Sequence, residues 1–226
     1  MRIENKPKAT APRLSELQRD IRLQHAHELL GRHYKKSVAK NGERVQKINN
    51  QIYRWTNDRL PKKFKSRYQD VAQTIIDQSV KYEFDPVFIL SVIQAESGFD
   101  PLRKGKLDEI GLMQLRPSTA KWIADKYGLK YEGEKDLRNP VANILLGAAY
   151  LDYLRERFSS HARLYLAAYN MGQRNVDEAL EKKIWPKDYP VHVMRYYVDF
   201  YSELKGPRAP ATRVTDERAN RPERNS

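Results

Sequence analysis

The 226-residue sequence contains no cysteine. That excludes a disulfide framework, a zinc–thiolate site and a cysteine nucleophile. It also lacks any apolar run near the roughly 18 residues of a membrane span. The first twelve residues include basic side chains, but no hydrophobic region follows them, so no secretory signal is read. Wholesale disorder is excluded as well, because 40% of the residues are apolar, enough for a packed core. What the chain has in excess is positive charge: 42 Lys and Arg against 29 Asp and Glu, net +13. An excess of this size points to an anionic partner such as nucleic acid, anionic lipid or an acidic polymer.

The charge is unevenly placed. Residues 1–65 hold 17 Lys and Arg against 6 Asp and Glu, residues 66–205 hold 20 of each, and residues 206–226 hold 5 against 3. The expected division is a basic helical arm over 1–65, a neutral globular domain over 66–205 and a disordered basic tail over 206–226. Residues 1–12, with Pro7 and Pro12, read as extended or disordered.

In the arm, Leu14, Leu17, Ile21 and Leu29 form one apolar stripe of a helix over 13–34. Asn41-Gly42 marks a turn. Val45, Ile48, Ile52 and Trp55 form a second seam that stops before Pro61. In the domain, Tyr68, Val71, Ala72, Ile75, Ile76 and Val80 share a helical face. Asp85-Pro86 and Asn139-Pro140 each read as an N-cap followed by proline at the first helical position. The first of these helices ends near Gly98. Another runs from Pro117 to Gly128. Gly147, Ala148 and Ala149 suggest that another backbone approaches the middle of the helix after Pro140. Shorter helices are expected over 161–169 and 173–182, and a last one carries Met194, Tyr197, Val198, Tyr201 and Leu204. Residues 100–116 lack helical periodicity and read as a short hairpin or loop. The sum is a mainly α fold of short helices.

One residue stands out of pattern. Ile89, Val92, Ile93 and Glu96 fall at i, i+3, i+4 and i+7, which sets a carboxylate in line with an apolar stripe. Burial disfavours the charged form and raises a carboxyl pKa, as a general acid near neutral pH requires. Two other readings stand beside this one: the stripe ends a turn early and Glu96 is exposed, or Glu96 is buried and paired to a lysine or arginine.

Three blocks follow one another around that glutamate: Glu96-Ser97-Gly98-Phe99-Asp100-Pro101, then Gly111-Leu112-Met113-Gln114-Leu115, then Ala167-Ala168-Tyr169-Asn170-Met171-Gly172. In this order and spacing they resemble the soluble lytic transglycosylase (SLT) domain, a lysozyme-like α+β family that cleaves peptidoglycan. The resemblance covers residues 66–204 and includes Tyr189, Val193 and Met194 in the closing helix. It implies that Glu96 alone first protonates the β-1,4 oxygen between N-acetylmuramic acid and N-acetylglucosamine. The same residue then acts as base on the muramic C6 hydroxyl, giving a 1,6-anhydro end. No cofactor and no metal is implied. Substrate contacts are implied for Gln114, Met113, Tyr169, Tyr189 and Ser97. Tyr169 matches the family tyrosine whose hydroxyl contacts the catalytic carboxylate. Gln114 offers an amide donor and acceptor. Gly111 lets backbone approach the ligand, and Asn170 caps its helix and ties the loop together.

The chain departs from the family pattern at Gly105-Lys106-Leu107-Asp108-Glu109-Ile110, where a serine is usual, and at Arg116, where methionine is common. Arg116 reads as a surface charge, or as a contact for the carboxylates of a peptide stem. Asp100 reads as a turn residue ahead of Pro101. His25, His27 and His33 lack metal-ligand spacing and read as structural or exposed. Of the fourteen tyrosines, only Tyr169 and Tyr189 are assigned to a cleft. The clusters Lys35-Lys36 and Lys62-Lys63-Lys65 have no interleaved nucleic-acid motif and read as solvated faces. The expected partners are therefore peptidoglycan glycan strands and, through the arm, an anionic envelope polymer or membrane surface. The expected place is the bacterial envelope or periplasm. A lysozyme-type hydrolase and a non-catalytic peptidoglycan-binding scaffold are the rival readings.

Overall fold

A computed structural model describes residues 14–37, 39–41 and 43–204. The expected extended N-terminus, the basic tail and Gly42 of the expected turn lie outside the described residues. Ten α-helices are described: α1 (Leu14–Leu30), α2 (Val45–Arg59), α3 (Tyr68–Lys81), α4 (Pro86–Ser97), α5 (Pro117–Tyr127), α6 (Glu134–Arg138), α7 (Pro140–Arg157), α8 (Ala162–Met171), α9 (Gln173–Glu181) and α10 (Asp188–Glu203). Short 3₁₀ turns occupy Gly31–Lys36, Ala39–Asn41 and Lys62–Arg67. Among the described residues no helix is long and apolar enough to cross a membrane.

The local signals act as their chemistry requires. Asp85 Oδ1 accepts from the Val87 N–H at 2.9 Å, and Asn139 Oδ1 accepts from the Val141 N–H at 3.1 Å. Each satisfies a donor that the first helical turn leaves unpaired. Gly98 and Gly128 close α4 and α5 at φ +61° and +64°, in the left-handed region that glycine enters without strain.

Helix α4 is the centre of the fold. It packs on α10 and α3, and every residue from Pro86 to Ile93 is buried. The surrounding layer is built by α2 on α3, α3 on α7 and α7 on α8. Residues of α2 (Ile48, Ile52 and Trp55) lie in the same buried cluster as Val71, Ile75 and Phe88. The arm's second helix therefore completes the core.

The first helix docks differently from its sequence pattern. Ile21 is buried, but Leu17 is 43% exposed. The inward face is Ile21, Arg22, His25 and Ala26. This face meets polar groups. Arg22 Nη1 donates to Tyr201 Oη and to the Ala39 carbonyl, both at 3.2 Å. The Asp85 N–H donates to His25 Nδ1 at 3.0 Å, and His25 Nε2 lies 3.2 Å from Tyr165 Oη. Burial and the Arg155 cation hold the His25 pKa well below its ordinary value, so the ring stays neutral and can accept. Apolar periodicity misreads part of α1 because hydrogen-bonded Arg22 and His25 share its inward face with Ile21 and Ala26.

Candidate active site

The last turn of α4 carries Glu96 to the edge of the core, where it is half-buried. The Tyr189 hydroxyl, from the first turn of α10, donates to Glu96 Oε1. Burial raises the Glu96 carboxyl to about 7. The Tyr189 hydrogen bond opposes that rise, the nearby Glu109 charge adds to it, and Arg103 opposes it. Neither sequence alternative for Glu96 describes the site: the residue is not out in solvent, and its direct partner is a phenol rather than a cation.

Residues 98–116 fold over the end of α4 as a tight loop with isolated antiparallel bridges, Lys104 to Ile110 and Ile110 to Leu115. Several groups fix it in place. Ser97 Oγ reaches the Leu112 carbonyl at 2.8 Å. Tyr169 Oη donates to the Met113 carbonyl at 2.8 Å. Asn143, fully buried on α7, accepts from the Met113 N–H at 2.7 Å. Its amide donates to the Ile110 carbonyl at 2.9 Å and the Leu137 carbonyl at 3.0 Å. Asn143 thus meets most of its hydrogen-bonding capacity with this loop and its neighbour, as a buried amide must. It was not anticipated. The signal was the one that marked Glu96, a polar side chain in line with the apolar face Pro140, Ile144 and Gly147.

The loop borders a cleft of about 700 Å³. Glu96, Gln114, Tyr150, Tyr169, Asn170 and Met171 line one part of it. Arg103, Lys104, Lys106, Glu109 and Arg116 line the loop side. This volume lies within the usual range for a small-molecule site, roughly 300–1,000 Å³.

Several expected roles change. The hydroxyl on Glu96 is that of Tyr189, and Tyr169 holds the loop backbone instead, because its Oη is committed to Met113. Ser97 and Met113, expected at the substrate, are buried. Ser97 ties helix to loop, and Met113 fills the space over Gly147, where a Cβ would collide with its side chain. The small stretch on α7 therefore admits a side chain, not a second backbone. Gly111 sits at φ +86° with the Leu137 carbonyl and the Asn143 amide where a Cβ would stand, so it serves packing inside the domain and not approach of a ligand. Asn170 is exposed in the cleft, and Gly172 follows the end of its helix. Gln114 spends both amide hydrogens on the Arg103 and Gly111 carbonyls, at 3.0 and 2.8 Å, which leaves its oxygen to a ligand. Its φ of +46° is unusual for a non-glycine residue. Arg116 pairs with Glu109 at 3.0 Å. Tyr150, its ring 5.3 Å from that of Tyr169, is a further cleft residue that the sequence did not single out.

Residues 73–191 match the model of a family described as the transglycosylase SLT domain. The chain is 34% identical over 124 residues to a putative soluble lytic murein transglycosylase of Haemophilus influenzae, a match covering 55% of this chain and 20% of that protein. It is 32% identical over 105 residues to membrane-bound lytic murein transglycosylase E of Buchnera aphidicola, covering 44% and 46%. Its fold resembles an inactive mutant of lytic transglycosylase Slt from Pseudomonas aeruginosa, with TM-score 0.55 and 22% identity over 88% of this chain and 38% of that one. The chain thus spans about a fifth of the Haemophilus relative and under half of the Buchnera one.

Proposed function

The chain belongs to the transglycosylase SLT domain family, and on that premise we propose that it is a peptidoglycan lytic transglycosylase with Glu96 as its acid and base. The observation that carries this reading is one carboxyl held near neutrality by burial, bonded to Tyr189 and open to the cleft. Near pH 7 a large fraction of Glu96 is protonated. Its proton passes to the glycosidic oxygen, the C1–O bond breaks, and positive charge develops at the muramic C1. The carboxylate left behind takes the C6 hydroxyl proton while O6 bonds to C1. Glu96 ends protonated, a 1,6-anhydro ring closes and no water is consumed. One carboxyl suffices because the nucleophile belongs to the substrate, whereas glycosidases of the usual type need two.

General acid–base help of this kind accounts for about 10²–10⁴-fold. Orientation of the strand and stabilisation of the cation supply the rest. The Tyr189 bond supports both protonation states, since a phenol O–H fixes the rotamer of the acid and stabilises the carboxylate that follows. On this reading the protein acts in the bacterial envelope, and the exposed lysines of the arm, Lys35, Lys36, Lys62 and Lys63, face its anionic polymers.

Digestion of purified sacculi followed by mass analysis tests the reaction. Anhydro ends, one water lighter than hydrolytic ends, are expected throughout. Reducing ends throughout would instead make the protein a lysozyme-type hydrolase. Unchanged behaviour of Glu96→Gln would make it a binding scaffold.

A further inference from the structure

We infer that the cleft selects glycan strands whose peptide stems carry free carboxylates, and that Arg103 and Lys106 are the side chains that recognise them. The inference rests on the transglycosylase reading, since it names the form of that substrate.

Four cations line the loop side of the cleft, and they are not equivalent. Lys104 pairs with Asp108 at 3.0 Å, and Arg116 pairs with Glu109 at 3.0 Å. Arg103 and Lys106 are exposed and have no carboxylate within ion-pair distance among the described residues. Residues 66–205 are neutral overall, so this is a local concentration of positive charge in a balanced domain. Of the four, Lys106 and Arg116 stand at positions where the chain leaves the family pattern.

A neutral sugar ring offers these cations less than a carboxylate does, because their bonds to an anion are charge-assisted and stronger than those to hydroxyl or acetamido oxygens. The acid chemistry does not explain Arg103. Its charge favours the carboxylate form of Glu96, which works against the acid step as much as it would help the base step. A ligand carboxylate accounts for both residues. It pairs with the unsatisfied cations and screens Arg103 from Glu96 when the strand is bound.

The frame beneath them is fixed. The Arg103 carbonyl accepts from the Gly111 N–H and from Gln114 Nε2, both at 3.0 Å. Lys106 is flanked by the Gly105 N–H, bonded to the Glu109 carbonyl at 2.7 Å, and the Leu107 N–H, bonded to Glu109 Oε2 at 3.0 Å. Cations on a pinned backbone lose less freedom when they bind, which favours recognition.

Amidation of stem carboxylates removes the charge and barely alters size, so it isolates the effect. The full chain is assayed on strands with free stem carboxylates and on the same strands amidated. At low salt kcat/KM is expected to be about tenfold higher on the acid strands, through KM, and the gap closes at high salt. Arg103→Gln/Lys106→Gln loses the preference, while Lys182→Gln/Lys183→Gln, which removes two exposed lysines after α9, keeps it. Equal rates of the natural chain on both strands, or a preference retained by Arg103→Gln/Lys106→Gln, overturns the inference. Binding of the same strands by Glu96→Gln reads selection without turnover. A chain that binds acid strands preferentially and cuts neither keeps this inference and overturns the proposed reaction. A chain that cuts and binds both alike does the reverse.

Discussion

Helix α4 has a carboxylate at each end, Asp85 fully buried and Glu96 half-buried, and the two are treated in opposite ways. Asp85, at the N-terminal end, is fully buried and accepts three hydrogen bonds. The hydroxyls of Tyr197 and Tyr201 donate to its Oδ2 at 2.7 and 2.6 Å, the Val87 N–H donates to its Oδ1, and Arg22 lies behind Tyr201. Glu96, at the C-terminal end, has one phenol on Oε1 and a cleft in front of it. Burial raises both pKa values. The difference lies in the remaining lone pairs. A carboxylate that accepts three hydrogen bonds inside the core holds structure, while one that accepts a single bond at a cleft can exchange a proton with a ligand.

The largest effect expected from this contrast is at Glu96. Glu96→Gln should lower the rate of anhydro-end formation by at least about 10²–10⁴-fold. It should not destabilise the fold. Between its ordinary value of 4.5 and about 7 the folded state holds a Glu96 proton that the unfolded chain releases, so the natural chain loses stability as pH rises through that window. Gln cannot titrate, and thermal melts should show the variant equal or superior to the natural chain above pH 7. A variant that melts far lower would place Glu96 with Asp85 as a structural group.

Asp85 should behave in reverse. Asp85→Ala strands two tyrosine hydroxyls and Arg22 and removes a helix cap, and it should cost about 3–5 kcal/mol in denaturant unfolding. A loss of activity with no change in stability would erase the distinction between the two ends.

Tyr189→Phe should cost about 1.5–3 kcal/mol of transition-state stabilisation, the range for a hydrogen bond to a charged group. Because that bond favours the carboxylate, its loss should raise the Glu96 pKa and move the alkaline limb of the kcat/KM profile to higher pH. Tyr169→Phe should leave that limb in place, since its hydroxyl serves the Met113 carbonyl.

The smallest effect is that of Glu109→Gln. Glu109 repels charge on Glu96, so removing it should lower the Glu96 pKa and move the alkaline limb to lower pH, opposite in sign to Tyr189→Phe. Two shifts in the same direction would mean that loop displacement, and not charge, governs Glu96.

Much of this arrangement was legible in the residues. Asp85-Pro86, Asn139-Pro140, Gly98 and Gly128 mark helix ends because capping and left-handed turns depend on side chains within a few positions. Glu96 was visible because helical period alone sets it on the apolar face. The docking face of α1 was not legible, since Arg22 and His25 are inward only because Tyr201, the Asp85 N–H and Tyr165 meet them there.

The sequence by itself determined most of the helices and their order, α6 excepted, and set the Glu96 carboxylate in line with apolar neighbours, all of which follow from short-range spacing. Only the tertiary structure decided which tyrosine holds that carboxylate, that Asn143 pins the loop, and that two of four loop cations are left unpaired. Those outcomes depend on distances and angles between groups far apart in the chain, 93 residues for Tyr189 and Glu96. A hydrogen bond forms only where packing brings donor and acceptor within about 3 Å in the right direction.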